Sequence, residues 1–165
     1  MDRPYTPLAF ANEFIAKASG HGLEHMKLQK LVYMCYGWWL VRHDAAIMNE
    51  APQVWQHGPV FNSLYFILNS FGHKPIEHVQ SRLYGVPPER IPYGDDEAHD
   101  LIHWVWMKYG ARSAFYLSDL THKAGSPWHQ VVERYDYRVP RNTEIPIATI
   151  TEHFRSIAHD RGFTL

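Results

Sequence analysis

The sequence predicts a mainly α-helical protein of about six to seven helices, with at most a small β-hairpin near residues 46–57. Segment 26–42 is apolar on nearly every side of a helix, so other elements must surround it. A hydroxyl cap followed by proline, a strong helix start, occurs at both Thr6 and Ser126. A chain of 165 residues is long enough for one core and short for two, so we expect a single domain over residues 1–165.

The other elements follow from apolar residues at helical spacing and from start and stop signals at their ends. In the first half of the chain we predict a first helix from Pro7 to Gly20, the central helix over 26–42, extended chain over 47–55 and a third helix over 60–71. We expect Gly58 and Pro59 to open this third helix. In the second half we predict an irregular loop over 73–92 and further helices over 95–109, 113–124, 127–134 and 150–157. Proline marks the long loop, and Gly72 stands where a cap of the third helix belongs.

Composition limits the classes of partner. Sixteen basic and seventeen acidic side chains give a net charge of -1, so no overall field favours nucleic acid or an anionic membrane. Cys35 is the single cysteine, which excludes an intramolecular disulfide, and the N-terminal residues contain no apolar run of signal-peptide length. Six tryptophans and 15% aromatic residues are typical of an aromatic core or an aromatic binding surface. We expect a cytoplasmic protein whose partners are proteins.

The candidate catalytic and metal-binding residues do not combine into a site. His99 and His103 have the spacing of paired metal ligands on a helix, but neither an HExxH motif nor a nearby cysteine completes a site. Ser118, Asp119 and His122 are close in sequence, yet neighbours on one helix rarely point at one atom as a catalytic triad must. We predict no enzyme activity, no metal and no cofactor. The alternative from another class is a histidine-dependent or metal-dependent hydrolase.

Two places combine polar residues with an apolar setting. Lys27 and Lys30 interrupt the central helix, and each ammonium group must reach solvent or an acid, as long lysine side chains commonly do at surfaces. The alternative is that they contact an acidic feature of a partner along an exposed edge of the helix. Between the fifth and sixth helices, we expect four side chains to hydrogen-bond across the break: Thr121, His122, Ser126 and Trp128.

Several blocks, in their order along the chain, resemble one known family. They are LQKLVYMCYGWWLV at 28–41, HGPVFNSLY at 57–65, LSDLTHKAGSPWHQV at 117–131 and ITEHF at 150–154. Together they are similar to the Panacea domain of SocA-like and phage-associated GepA antitoxins, over about residues 7–157. The resemblance implies an antitoxin that neutralises a co-encoded toxin by binding it. Many members carry an added DNA-binding module, and we expect none here because the domain fills nearly the whole chain.

The resemblance leaves two modes of action open. The antitoxin either covers its toxin by steric occlusion or acts as an adaptor that delivers the toxin to a cellular, ATP-dependent protease. The partner-binding residues that we predict are Lys27, Lys30, Trp55, His57, Pro59, Tyr65 and Trp128. The residues with a predicted structural role in the shared blocks are Leu28, Leu31, Tyr33, Gly37, Trp38, Gly58, Leu120, Thr121, His122 and Pro127.

Overall fold

The computed structural model describes residues 3–161. The helices are α1 (Pro7–Lys17), α2 (His25–Trp39), α3 (Asn62–Leu68), α4 (Asp96–Tyr109), α5 (Ala114–His122), α6 (Pro127–Arg134) and α7 (Ile147–Asp160); a 3-10 turn spans Asn69–Phe71, and the strands are β1 (Gln53–Trp55) and β2 (Gly58–Val60). This architecture confirms the mainly α fold with a small hairpin. Of the described helices, none has both the length and the apolarity that crossing a bilayer requires.

Helix α2 lies at the centre of the fold, as predicted for segment 26–42. Every residue from Leu28 to Leu40 is buried, and α1, α3, α4, α5, α7 and β2 all pack on this helix. Gly37 allows a close approach, because a Cβ at this position would overlap the Phe154 ring of α7. Burial on all sides is the physical reason why the helix carries so few charged residues.

Four of the predicted helix starts are confirmed by hydrogen bonds. Side-chain oxygens of Thr6, Asp95, Ser113 and Ser126 each accept a hydrogen bond from the backbone N–H three residues later. Each bond satisfies one of the free N–H groups that a helix leaves at its first turn. These four caps fix the first residues of α1, α4, α5 and α6.

The predicted third helix begins too early. Gly58 and Pro59 belong to β2 and α3 begins at Asn62, so residues 58–60 form a strand and not the opening of a helix. Trp55 pairs with Gly58 across a two-residue turn, and the φ angle of Gly58 is +106°. The hairpin therefore continues past residue 57, because glycine supplies a backbone conformation that begins a returning strand.

The long loop between the 3-10 turn and α4 is irregular, as predicted, but two buried polar residues of α1 anchor it. The Asn12 amide donates to the carbonyls of Gln80 and Glu89, at 2.8 and 2.9 Å. The Glu13 carboxylate accepts from Arg90 Nε at 2.7 Å. The loop is held against α1 by these bonds, although it has no regular secondary structure of its own.

Candidate partner-binding groove

A groove of about 370 Å³ opens where the start of α2, the β1–β2 hairpin and α3 meet. We call it the hairpin groove, and its lining residues are Glu24, His25, Met26, Gln29, Lys30, Trp55, Gln56, His57, Val60, Tyr65, Asn69, Gly72 and His73. Four predicted partner-binding residues, which the sequence separates by up to 35 positions, meet here: Lys30, Trp55, His57 and Tyr65. The volume of about 370 Å³ is within the usual range for ligand pockets.

Side chains from outside the hairpin bind its backbone at every second carbonyl between residues 55 and 61. The donors and acceptors are Trp128 Nε1 to Trp55 O (2.8 Å), Ser118 Oγ to His57 O (2.8 Å), Lys30 Nζ to Pro59 O (2.9 Å) and Gln29 Nε2 to Phe61 O (3.2 Å). Two of these donors come from α2, and the other two come from α5 and α6. A two-stranded hairpin is marginal by itself, so these four bonds give it a fixed shape.

Gly58 is required where the hairpin meets α2 and α5. A Cβ at this position would lie 3.0 Å from Lys30 Nζ and 3.1 Å from Thr121 Oγ1. The φ angle of +106° is also one that side chains other than glycine rarely adopt. Gly58 thus lets the hairpin backbone come close enough for Lys30 to reach the carbonyl of Pro59.

Lys30 does not reach solvent, so the expectation of a surface lysine is wrong for this residue. Its side chain is 1% exposed, and its ammonium group donates to the buried Pro59 carbonyl. Burial lowers the pKa of Lys30 to about 7. The expected contact with an acid is also not found among the described residues, since Lys30 is in no ion pair there. A carbonyl satisfies one of the three N–H donors of the ammonium group.

Lys27 likewise binds a backbone carbonyl. Its Nζ donates to the Gly110 carbonyl at 2.6 Å, at the C-terminal end of α4. A cation at this end of a helix interacts favourably with the helix dipole. Burial lowers the pKa of Lys27 below its ordinary value. Lys27 therefore joins α2 to α4 and lies outside the hairpin groove.

Aromatic rings form one wall of the groove. The Trp55 and Tyr65 rings have centroids 4.6 Å apart, and the His25 ring lies 5.4 Å from Tyr65. Burial, and then the charge of Lys30, lower the pKa of His25 to about 4, so its imidazole is neutral at pH 7. Beside this wall, Phe66 is 67% exposed with its ring 5.9 Å from that of Tyr65. One exposed aromatic ring therefore lies next to the wall of the groove.

Two further predicted partner-binding residues support the groove without lining it. Pro59 is buried in β2 and accepts the Lys30 bond, and Trp128 is half-buried and donates to the hairpin from α6. Their contacts are with the hairpin itself. Partner binding by Lys27, Lys30, Trp55, His57, Pro59, Tyr65 and Trp128 remains a prediction.

The residues with a predicted structural role fall into two groups. Leu28, Leu31, Tyr33, Gly37 and Trp38 are buried on α2, whereas Gly58 lies in β2, and Leu120, Thr121, His122 and Pro127 lie on α5 and α6.

The prediction of hydrogen bonds across the break between α5 and α6 is mostly wrong. Thr121 and His122 bond to carbonyls within α5, and Ser126 caps its own helix. Trp128 alone among these residues reaches another element, and that element is the hairpin.

Sequence reasoning missed Gln29, Ser118 and Phe66. The Gln29 amide both donates to the Phe61 carbonyl and accepts from the Phe61 N–H, at 3.2 and 2.9 Å. A signal for Gln29 was present, because a polar residue inside an apolar helix must find a buried partner. Ser118 gave no such signal, since serine is common on helix surfaces, and the exposure of Phe66 depends on where α3 begins.

Comparison with known proteins agrees with the shared blocks. The model of the family described as "Antitoxin SocA-like, Panacea domain" matches residues 28–129, which include most of α2, the hairpin, α3, α4, α5 and the start of α6. Antitoxin SocA of Caulobacter vibrioides is 27% identical over 152 residues, which cover 89% of this chain and 81% of that protein. No solved structure matches the chain.

Proposed function

Since the chain belongs to the SocA-like antitoxin family with a Panacea domain, we propose that it neutralises a co-encoded toxin by direct protein–protein binding through the hairpin groove. The binding is steric and stoichiometric, and the antitoxin performs no chemistry on the toxin. Neither nucleic acid nor membrane takes part, in keeping with a net charge of -1.

The observation that carries this proposal is the aromatic groove on a backbone that is already fixed. Trp55 and Tyr65 form its wall, Phe66 extends it at the surface, and four side-chain bonds hold the hairpin. Aromatic residues are the commonest anchors of protein interfaces. A rigid surface loses little conformational entropy on binding, so more of the contact energy appears as affinity.

The chemistry of the groove also favours one kind of toxin segment. Lys30 contributes a buried ammonium group to the lining, with a single hydrogen-bond acceptor among the described residues. Its other N–H donors favour a carboxylate or backbone carbonyl of the toxin. We therefore propose that an aromatic or aliphatic side chain of the toxin packs on Trp55 and Tyr65 while an acceptor of the same segment approaches Lys30.

The test uses the product of the adjacent reading frame as the toxin. Cells that express this product alone should stop growing, and co-expression of the antitoxin should restore growth and yield a complex that co-purifies. Tyr65→Ala and Phe66→Ala should each weaken the complex about tenfold or more, as the loss of an aromatic anchor does. Phe115→Ala is the matched control, because Phe115 is 82% exposed on α5, away from the groove lining.

Three results would contradict the proposal. Equal weakening by Phe115→Ala and Phe66→Ala would move the interface away from the groove. Growth restored without a complex, together with falling toxin levels, would favour delivery to a protease. A neighbouring product that is not toxic would favour another function, including the hydrolase alternative.

A further inference from the structure

Three large apolar side chains are exposed within four positions of the long loop, at residues 83–86. Leu83 is 65% exposed, Tyr84 is fully exposed and Val86 is 45% exposed. Surface turns are usually built from glycine, proline, asparagine, aspartate and serine. Single apolar residues at a surface are common, whereas a cluster of them marks a candidate interaction site. We call residues 83–86 the apolar turn.

The backbone of the apolar turn is restricted from within. The N–H of Val86 donates to the carbonyl of Leu83 at 3.2 Å, and the φ angle of Gly85 is +78°. A positive φ at the third position is typical of a type II β-turn, and glycine adopts it without steric cost. Pro87 and Pro88 follow directly, and each proline fixes its own φ angle.

One buried side chain of α1 holds both ends of the segment that carries the apolar turn. Asn12 is 0% exposed, and its amide group donates to the carbonyls of Gln80 and Glu89 and accepts from the Gln80 N–H. Arg82 and Glu89 also form an ion pair at 2.9 Å, which closes the same segment. The three apolar side chains are therefore presented on a fixed base. A surface that is already ordered loses little conformational entropy when a partner binds.

Helix α3 borders both the hairpin groove and an open cavity that reaches the start of the apolar turn. The cavity has a volume of about 470 Å³, and its lining includes Phe66 and Ile67 of α3 together with Arg82, the residue directly before the turn. On the other side, the Phe66 ring lies 5.9 Å from that of Tyr65, which lines the hairpin groove. The exposed Phe66 ring thus lies next to both concave sites.

The area of a stable interface requires contacts beyond the hairpin groove. Such an interface buries about 800 Å² on each partner, and one large aromatic side chain supplies about 150–250 Å² at most. Trp55 and Tyr65 are already half-buried, so together with Phe66 their rings fall short of this area. The apolar turn adds the exposed side chains of Leu83 and Tyr84.

We propose that the apolar turn is a second anchor site for the toxin, a proposal that rests on the function proposed above. Leu83 and Tyr84 pack on an apolar patch of the toxin, while the hairpin groove holds the toxin segment already described. The cavity beside α3 is lined mostly by polar side chains, among them Asn49, Glu50 and Arg82. The partner that fits this surface therefore has two apolar patches on one face, with polar groups between them.

The affinity between the purified antitoxin and the purified product of the adjacent reading frame tests the proposal. Leu83→Gln/Tyr84→Gln should weaken the complex about tenfold or more, because it removes both apolar contacts. The matched control is Met107→Gln/Tyr93→Gln, which alters side chains that are 70% and 99% exposed and lie outside the groove and cavity linings. The control should bind like the unaltered protein. Both double variants should keep its melting temperature, because all four side chains are exposed.

Tyr65→Ala separates the apolar turn from the groove in the same assay. A complex that Tyr65→Ala weakens and Leu83→Gln/Tyr84→Gln does not would overturn the second anchor and leave the groove as the binding site. A complex that neither variant weakens would overturn the proposed function as well. Equal weakening by the two double variants would reduce the effect to a general loss of apolar surface and would also overturn the second anchor.

Two measurements on the unaltered protein complete the test. Binding of the toxin should slow hydrogen exchange at the amides of residues 82–86 and 53–61, but not at residues 135–138, which form another exposed segment. Unchanged exchange at residues 82–86 would overturn the proposal. Light scattering of the antitoxin alone should give the same mass for the unaltered protein and for Leu83→Gln/Tyr84→Gln. A dimer that this double variant dissociates would make a second copy of the chain the occupant and would overturn the assignment to the toxin.

Discussion

The two halves of α2 are held in different ways. Residues 25–30 bind other elements through polar groups: Gln29 and Lys30 donate to the hairpin, and Lys27 donates to the end of α4. Residues 31–40 are buried among apolar and aromatic side chains, with Trp38 packed against Trp104 and Phe154. Hydrogen bonds fix directions and positions, whereas apolar packing supplies most of the stability. The first half therefore shapes the hairpin groove, and the second half maintains the fold.

The largest expected loss of stability is in the second half of α2. Trp38 is 1% exposed, and its indole N–H donates to the Tyr109 hydroxyl at 3.0 Å. Trp38→Ala should lower the free energy of unfolding by about 3–5 kcal/mol, because it leaves a large cavity between α4 and α7. Urea unfolding followed by circular dichroism measures this value.

A comparison with an exposed ring makes this prediction specific to buried packing. Phe115→Ala, at an exposed ring of α5, should change the free energy of unfolding by about 0.5 kcal/mol or less. A similar small loss for Trp38→Ala would mean that packing around the second half of α2 does not hold the fold.

A smaller loss of stability, with a larger effect on the groove, is expected at Gln29. Gln29→Leu leaves the N–H of Phe61 without its partner, whereas the Phe61 carbonyl keeps the hydrogen bond from the Tyr65 N–H. The free energy of unfolding should fall by about 1–3 kcal/mol, the cost of an unsatisfied buried polar group. The hairpin should also move, so hydrogen exchange at the amides of residues 53–61 should speed up relative to that of α7.

The decisive measurement for Gln29→Leu is the location of the amides whose hydrogen exchange accelerates. Uniform acceleration across the described elements would indicate global destabilisation alone and would remove the distinction between the two halves of α2. Acceleration confined to the hairpin would show that the first half holds the groove.

The contrast between apolar packing and polar contacts also explains how much of the structure the sequence could predict. Apolar periodicity and caps were sufficient for α2, α4 and α6, whose observed bounds agree closely with the predicted ones. Tyr65 was chosen from the shared blocks and Trp55 from the extended segment just before one of them, and the structure brings the two residues together. Local patterns were insufficient at Gly58, because both a helix start and a returning strand use a Gly-Pro pair.

Long-range polar contacts were the main limit of the sequence analysis. Lys30 and Ser118 bind carbonyls that lie 29 and 61 positions away in sequence, and no periodicity encodes such pairs.

The smallest expected effect concerns the pH dependence of stability at Lys30. Its pKa is about 7 in the folded protein and about 10.4 in an unfolded chain. Between these two pKa values the unfolded state binds more protons than the folded state does. The contribution of Lys30 to stability therefore rises as the pH increases above about 7, and it is lost as the pH falls back toward 7. From about pH 7.5 to 8.5, this contribution should rise by roughly 1 kcal/mol, the effect of nearly one proton per pH unit.

Lys30→Met is the matched variant, because methionine fills similar space without a charge. The free energy of unfolding of the unaltered protein and that of Lys30→Met should be measured at several pH values, and the second value should be subtracted from the first at each pH. Buried Tyr33, Cys35 and Tyr36, whose pKa values burial raises, titrate alike in both proteins and so cancel in the difference. A difference that does not change with pH would mean that Lys30 keeps an ordinary pKa and that its ammonium group is hydrated in the groove. A rise with pH in the stability of the unaltered protein relative to Lys30→Met would establish a buried amine there, available to an acceptor of the toxin.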